Sequence, residues 1–171
     1  PSTFGSLFHK VVAQLKGENL SGTMDEAKFI KDLEAKAERA LTRDFGFNPS
    51  FALQIQKENL HDRIIAFAQS QIQSLQPNQA LEIIDTEKSF SLNIDEFTIT
   101  GSIDRIDFIK GQKRIIDYKT SSSPKTPKSE HLSSANTKKE PKHLPDEAYH
   151  NVNGKNYYWS DLQLPLYCLS E

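Results

Sequence analysis

Apolar residues recur at spacings of three and four through the first part of the chain. Phe4, Leu7, Phe8, Val11, Val12 and Leu15 mark one face of a helix over 3–16. Ser2 or Thr3 can cap it and Gly17 can end it. Phe29, Leu33, Ala37 and Ala40 form one stripe of a second helix, from Asp25 to Leu41. Gly46, Asn48 and Pro49 then break the chain. A third helical pattern runs from Phe51 to Leu75 and carries Leu53, Leu60, Ile64, Ile65, Phe67 and Ile72. Pro77 and Asn78 close it.

The period then shortens. Leu81 to Ile94, Phe97 to Ile109 and Arg114 to Thr120 are rich in Ile, Phe and Thr and read as strands. Asp95-Glu96 and Lys110-Gly111 are two-residue turns between them. From Ser121 to Asn156 the chain is polar, with prolines at 124, 127, 141 and 145, and reads as a long mobile basic loop or as a partly disordered stretch. A last helix starts near Ser160, with Leu162, Leu166 and Leu169 on one face and Pro165 near its start. There is no internal repeat.

The length, 171 residues, fits one domain, and 36% hydrophobic with 26% charged residues fits a soluble globular one. No apolar run approaches the roughly 18 residues that a membrane helix needs, and no signal peptide is expected, since no positively charged start leads into an apolar stretch. The cytoplasm is the expected location. Cys168 is the single cysteine, which excludes an internal disulfide framework, a four-cysteine iron–sulfur cluster and a cysteine-built zinc site. A net charge of −2 excludes a uniformly basic nucleic-acid coat. Between Lys110 and Lys142, however, nine basic residues face three acids. That stretch can follow a phosphate backbone, or it can be a solvated linker. Tyr149, Tyr157, Tyr158 and Trp159 are candidates for stacking on unpaired bases.

Strand alternation places Asp117 and Lys119 on one side. If Lys110-Gly111 is the turn, Asp104 opposes Asp117 and Asp107 opposes Arg114. If Asp95-Glu96 is the other turn, Glu87 opposes Asp104. Opposed residues share a face, so three acids and one lysine gather on one patch, with an Asp107–Arg114 ion pair on the other side. Clustered carboxylates repel unless a cation joins them. Oxygen ligands with open positions suit Mg²⁺ or Mn²⁺. Such a cation can activate water and clamp a phosphodiester oxygen, and a lysine beside it can stabilise the charge that develops on phosphorus oxygens. A lone Asp-x-Lys is far more often an ordinary surface salt bridge.

This pattern does not stand alone. Gly101-Ser102-Ile103-Asp104-Arg105-Ile106-Asp107 is followed by Ile115-Ile116-Asp117-Tyr118-Lys119-Thr120, and later by Gln163-Leu164-Pro165-Leu166-Tyr167. Gly5-Ser6-Leu7-Phe8-His9 lies near the start. In this order the motifs resemble the PD-(D/E)xK nuclease superfamily, in its RecB-like branch, as in the C-terminal nuclease domains of RecB, AddA and AddB. The resemblance implies an α/β fold with a restriction-endonuclease-like core: a central mixed sheet flanked by helices, with a helical insertion (25–76) after the first helix. It implies a single nuclease domain over 1–171.

Carried over by position, the resemblance implies that Asp104, Asp117 and the backbone carbonyl of Tyr118 hold a metal, with His9 as a further ligand. Lys119, with Asp104 and Asp117, would be catalytic. Gln163 and Tyr167 would bind substrate. Glu87, three residues before Phe90, matches a Glu-x-x-Phe feature and is expected to support the site or the fold. Arg105 is expected to pair with a neighbouring acid rather than touch DNA. His61, His131, His143 and His150 match no motif. The implied cofactor is Mg²⁺, with Mn²⁺ as a substitute and no iron–sulfur cluster.

The implied function is metal-dependent hydrolysis of DNA, as exonuclease or end resection in recombinational repair, with a helicase domain or subunit as partner and no membrane. The alternative is a catalytically inactive DNA-binding module of a helicase–nuclease complex. The chain begins at Pro1 and stops four residues past Tyr167, where the family core continues with another strand. It is therefore expected to be a fragment of a larger protein.

Overall fold

The computed structural model describes residues 3–46, 50–119, 126–135 and 141–171. They fall into two compact units, 1–119 and 120–171. Ser2, Asn48, Pro49, Lys125, Lys138 and Lys139, invoked above as cap, breakers or basic residues, lie outside the described residues.

The first unit opens with helix α1, Thr3–Ala13. It ends earlier than residue 16 because the chain turns off to join a sheet. Gly17, at φ +83°, donates its N–H to the Ile83 carbonyl at 2.8 Å, and the Ile83 N–H returns to Glu18 at 2.9 Å. A short strand the apolar pattern does not signal follows, β1, Asn19–Ser21. Helix α2, Glu26–Phe45, is capped by Asp25, whose carboxylate accepts from the Lys28 N–H at 3.0 Å. Helix α3, Phe51–Gln73, is capped by Ser50, which accepts from Leu53 at 3.4 Å. Both match the periodicity, and both lie between β1 and the main strands.

Those strands are β2 (Ala80–Ile94), β3 (Phe97–Ile109) and β4 (Gln112–Ile116). The sheet order is β1-β2-β3-β4. The expected α/β class, a central sheet flanked by helices, is what forms; where a mixed sheet was expected, each of its described pairings is antiparallel. Both two-residue turns close as counted, Ile94 facing Phe97 and Ile109 facing Gln112. The core lies between helices and sheet, where Leu7, Val11, Leu15, Leu33, Leu60 and Ile64 meet Leu81 and Ile83. Burial of such side chains is the main force holding the layers together.

Strand β4 differs from expectation: it stops at Ile116 instead of running to Thr120. Asp117, Tyr118 and Lys119 therefore follow the ladder's last pair, Arg105 with Ile116.

Within 121–156, read from the sequence as loop, the described residues of the second unit form regular elements. Its described residues hold a short helix α4 (Pro127–His131) and strands β5 (Leu132–Ser134), β6 (Tyr149–Val152) and β7 (Lys155–Trp159), in the order β5-β7-β6. Asn153-Gly154 joins β6 to β7, with φ of +54° and +77°. Two positive φ values are what a tight hairpin turn of right-twisted strands needs, and Asn-Gly tolerates them. The hairpin signal was present in the sequence, hidden by the polar composition around it. Helix α5, Gln163–Ser170, ends the unit. Pro165 sits in its first turn, where no intrahelical N–H is required. Among the described residues, no helix is long and apolar enough to cross a membrane.

Candidate active site

Three elements of the first unit bring three ligand-type side chains together. His9 comes from α1, Glu87 from β2 and Asp104 from β3. One imidazole nitrogen and one oxygen of each carboxylate all lie within 4.8 Å of one another. His9 Nδ1 is 3.2 Å from Glu87 Oε1 and 3.7 Å from Asp104 Oδ1.

The convergence follows from the ladder. Phe90 faces Gly101, and Lys88 faces Ile103, so Glu87 stands at the register position of Asp104. The Glu-x-x-Phe and Gly-x-x-Asp motifs are thus the two sides of one stretch of hairpin. The Phe90 ring lies over Gly101, and a Cβ there would come within 2.6 Å of it. At Glu87 the regular strand gives way. The register shifts between Ile83 and Asp85, and Glu87 adopts φ +48°. That left-handed conformation is disfavoured for a residue with a side chain. Glutamate is held there by its surroundings, beside the imidazole of His9.

Asp104 is the most constrained of the three. Its Oδ2 accepts a hydrogen bond from the Tyr118 N–H at 2.6 Å. Burial pushes its carboxyl above the ordinary value, and the negative charges of Asp117 and Glu87 push the same way. The Tyr118 amide and His9 oppose this without overcoming it. A carboxyl that resists ionisation among other acids is one whose environment calls for a cation.

Asp117 and Lys119 stand next to this cluster. Their side chains form an ion pair at 2.7 Å, Asp117 nearly buried and Lys119 open to solvent. Tyr118 points away between them. Its ring meets Phe8, Phe67 and the His9 imidazole edge to face, with centroids 5.8, 5.9 and 6.1 Å away. Burial pushes its phenol up to about 12.

A second charged group occupies alternate positions of the same strand. Arg105 and Asp107 are fully buried. Arg105 grips Asp107 through Nε and Nη2 at 2.5 and 2.9 Å, and donates through Nη1 to Gln71 Oε1 and the Tyr118 hydroxyl, each at 2.9 Å. Arg114 donates to the same carboxylate at 2.7 Å. The Asp107–Arg114 pair follows the counted register, and Arg105 pairs with an acid as expected.

In the second unit, Gln163 and Tyr167 stand one turn apart on α5. The Gln163 amide donates to the Tyr167 hydroxyl at 2.5 Å, and Tyr167 is buried. The aromatic residues proposed for stacking belong to β6 and β7. Tyr158 is buried, Lys128 covers the Tyr157 ring at 3.8 Å, and Trp159 packs against His150. His131, which matches no motif, is buried with its Nδ1 2.9 Å from Asp161 Oδ1. Among the described residues of the basic run, Arg114 pairs with Asp107, Lys119 with Asp117, and Lys128 lies over the Tyr157 ring.

Motif reading gave Glu87 only a supporting part, although the hairpin count had already put it beside Asp104. The contribution of Gln71 to the buried network had no signal, since a glutamine on a helix belongs to no motif.

The chain matches the family model of the PD-(D/E)XK nuclease superfamily over residues 1–170, and it belongs to that superfamily. No curated protein and no solved structure matches it. The antiparallel sheet with flanking helices agrees with the restriction-endonuclease-like fold of these enzymes. Membership implies a nuclease, a hydrolase of phosphodiester bonds in a superfamily that uses divalent metals. The donor set agrees: carboxylate oxygens with one imidazole nitrogen, and no thiolate, is chemistry for a hard or borderline divalent cation.

Proposed function

We propose that the chain is a metal-dependent deoxyribonuclease of the RecB-like branch, acting on DNA ends in recombinational repair beside a helicase domain or subunit. The observation that carries this reading is the convergence of His9, Glu87 and Asp104 next to the Asp117–Lys119 pair. The branch and the repair setting rest on the Gly-x-x-Asp-Arg, Asp-Tyr-Lys and Gln-x-x-x-Tyr motifs.

His9, Asp104, Asp117 and the Tyr118 carbonyl are proposed to hold Mg²⁺ or Mn²⁺, with Glu87 as an additional ligand. A divalent cation bound there would supply Lewis acidity and a nucleophilic water at neutral pH. Lys119 donates hydrogen bonds to the phosphate oxygens as negative charge grows on them. Asp117 holds the Lys119 ammonium so that little reorganisation is needed at the moment of reaction. Gln163 and Tyr167 contact the DNA strand. The family match spans both compact units, which supports their working as a single nuclease domain.

Digestion of end-labelled single- and double-stranded DNA with Mg²⁺, Mn²⁺ or EDTA tests the reading. Cutting that needs the metal and disappears in Lys119→Ala is the expected result. Metal and DNA binding without cutting would favour an inactive binding module instead.

A further inference from the structure

We propose that Arg105 is a positioning residue that holds the Asp117–Lys119 segment in place through the Tyr118 hydroxyl. The proposal rests on the nuclease reading and adds to it a residue that touches neither metal nor DNA. The segment begins where the ladder ends, at Ile116. Two hydrogen bonds at Tyr118 tie it to β3: its amide donates to Asp104 Oδ2 at 2.6 Å, and its hydroxyl accepts from Arg105 Nη1 at 2.9 Å. The first fixes the backbone against a metal-ligand candidate. The second fixes the ring.

Arg105 is suited to be the anchor. Its guanidinium is planar, fully buried and held in three directions, by Asp107, by Gln71 of α3 and by Tyr118. A buried charge network of this kind is often no more stabilising than apolar packing of the same volume. Its geometry is what apolar packing could not supply. The Tyr118 ring also meets the His9 imidazole edge to face. One side chain thus relates α1, α3 and the reactive segment.

The test uses Tyr118→Phe, which removes the hydroxyl and keeps the ring. Mn²⁺ alone is titrated calorimetrically into wild type and variant, without DNA. Amide deuterium exchange is followed at 117–119, with circular dichroism as the control for folding. The expected result is unchanged dichroism, faster exchange confined to 117–119, and Mn²⁺ affinity weakened roughly 10- to 100-fold. On DNA, kcat falls while KM stays.

Gln71→Leu releases Arg105 from the helix side and leaves Tyr118 intact. It should produce the same local increase in exchange. If both variants match wild type in exchange and in Mn²⁺ affinity, the positioning role is overturned while the nuclease reading stands. If the wild type neither takes up Mn²⁺ nor cuts DNA, the nuclease reading falls and takes this role with it.

Discussion

Strand β3 builds two charged groups from alternating residues, and they are balanced in opposite ways. Arg105 and Asp107 form a buried group whose one carboxylate is shared with a second guanidinium, that of the partly exposed Arg114. Asp104, with Glu87, Asp117, His9 and Lys119, forms a partly open group in which acids are crowded and the Asp104 carboxyl is pushed up. In the first, every buried side-chain polar atom has a hydrogen-bond partner and the one carboxylate is more than offset by cations, so it sets geometry. The second has more negative charge than its neighbours offset, so it is suited to take a cation. Thirteen residues of β3 supply both because a strand sends successive side chains opposite ways.

The largest effect should come from opening the buried group. Asp107→Asn leaves two guanidinium ions without their carboxylate, one of them fully buried. Breaking a buried pair in this way costs about 3–5 kcal/mol. Urea unfolding should show that loss, and Mn²⁺ should not restore it. A loss no larger than that of a surface ion pair would mean the network is not the rigid partner described above.

Breaking the open group should do the reverse. Lys119→Ala should leave the urea midpoint nearly unchanged, because Lys119 is largely exposed. Cutting should fall roughly 10²- to 10³-fold, the usual cost of removing one preorganised donor to developing charge. Single-turnover cleavage at saturating metal measures it. A variant that unfolds but cuts normally at low temperature would erase the distinction between the groups.

The third effect is a dependence on pH. Burial, first, and the neighbouring acids raise the Asp104 carboxyl above the ordinary aspartate range. The folded state therefore holds that proton more tightly than the unfolded chain does. Its contribution to stability without metal is complete below the unfolded value and is lost as pH rises through the folded one. Urea melts in EDTA should show this decline, and Asp104→Asn should flatten it. Saturating Mg²⁺ should recover stability at neutral pH, since a ligand that binds only the folded state stabilises it.

Much of this arrangement was legible in the sequence because turns of two residues fix register. Lys110-Gly111 put Asp107 opposite Arg114, and Asp95-Glu96 put Glu87 level with Asp104, as the ladders show. Helices α2 and α3 were legible because their apolar stripes and capping residues agree. The end of β4 was not. Residues 117–119 keep a strand-like pattern, while Tyr118 donates its amide to the Asp104 side chain and accepts from that of Arg105. Tertiary partners that arise only in the fold decide this. The second unit was hidden for another reason: lysines, serines and prolines masked an Asn-Gly hairpin between Tyr149 and Trp159. Nor could alternation reveal the backbone at Glu87, because counting along a strand assumes that no residue leaves it.

That residue gives the smallest and most discriminating prediction. Glu87 holds φ +48°, a conformation costing a side-chain-bearing residue roughly 1–2 kcal/mol relative to its ordinary one. Glycine adopts it without that cost but loses more chain entropy on folding. Glu87→Gly also removes one of the acids that raise Asp104. Metal-free stability should therefore stay level or rise by up to about 1 kcal/mol. Mn²⁺ affinity should fall at the same time, because a carboxylate is gone from the cluster. A purely structural glutamate would give the opposite pair of results, lower stability and unchanged affinity. Chemical denaturation in EDTA beside calorimetric Mn²⁺ titration separates the two. The opposed signs are the point: a residue kept in a strained conformation at a cost to the fold is one whose side chain is needed where that conformation puts it.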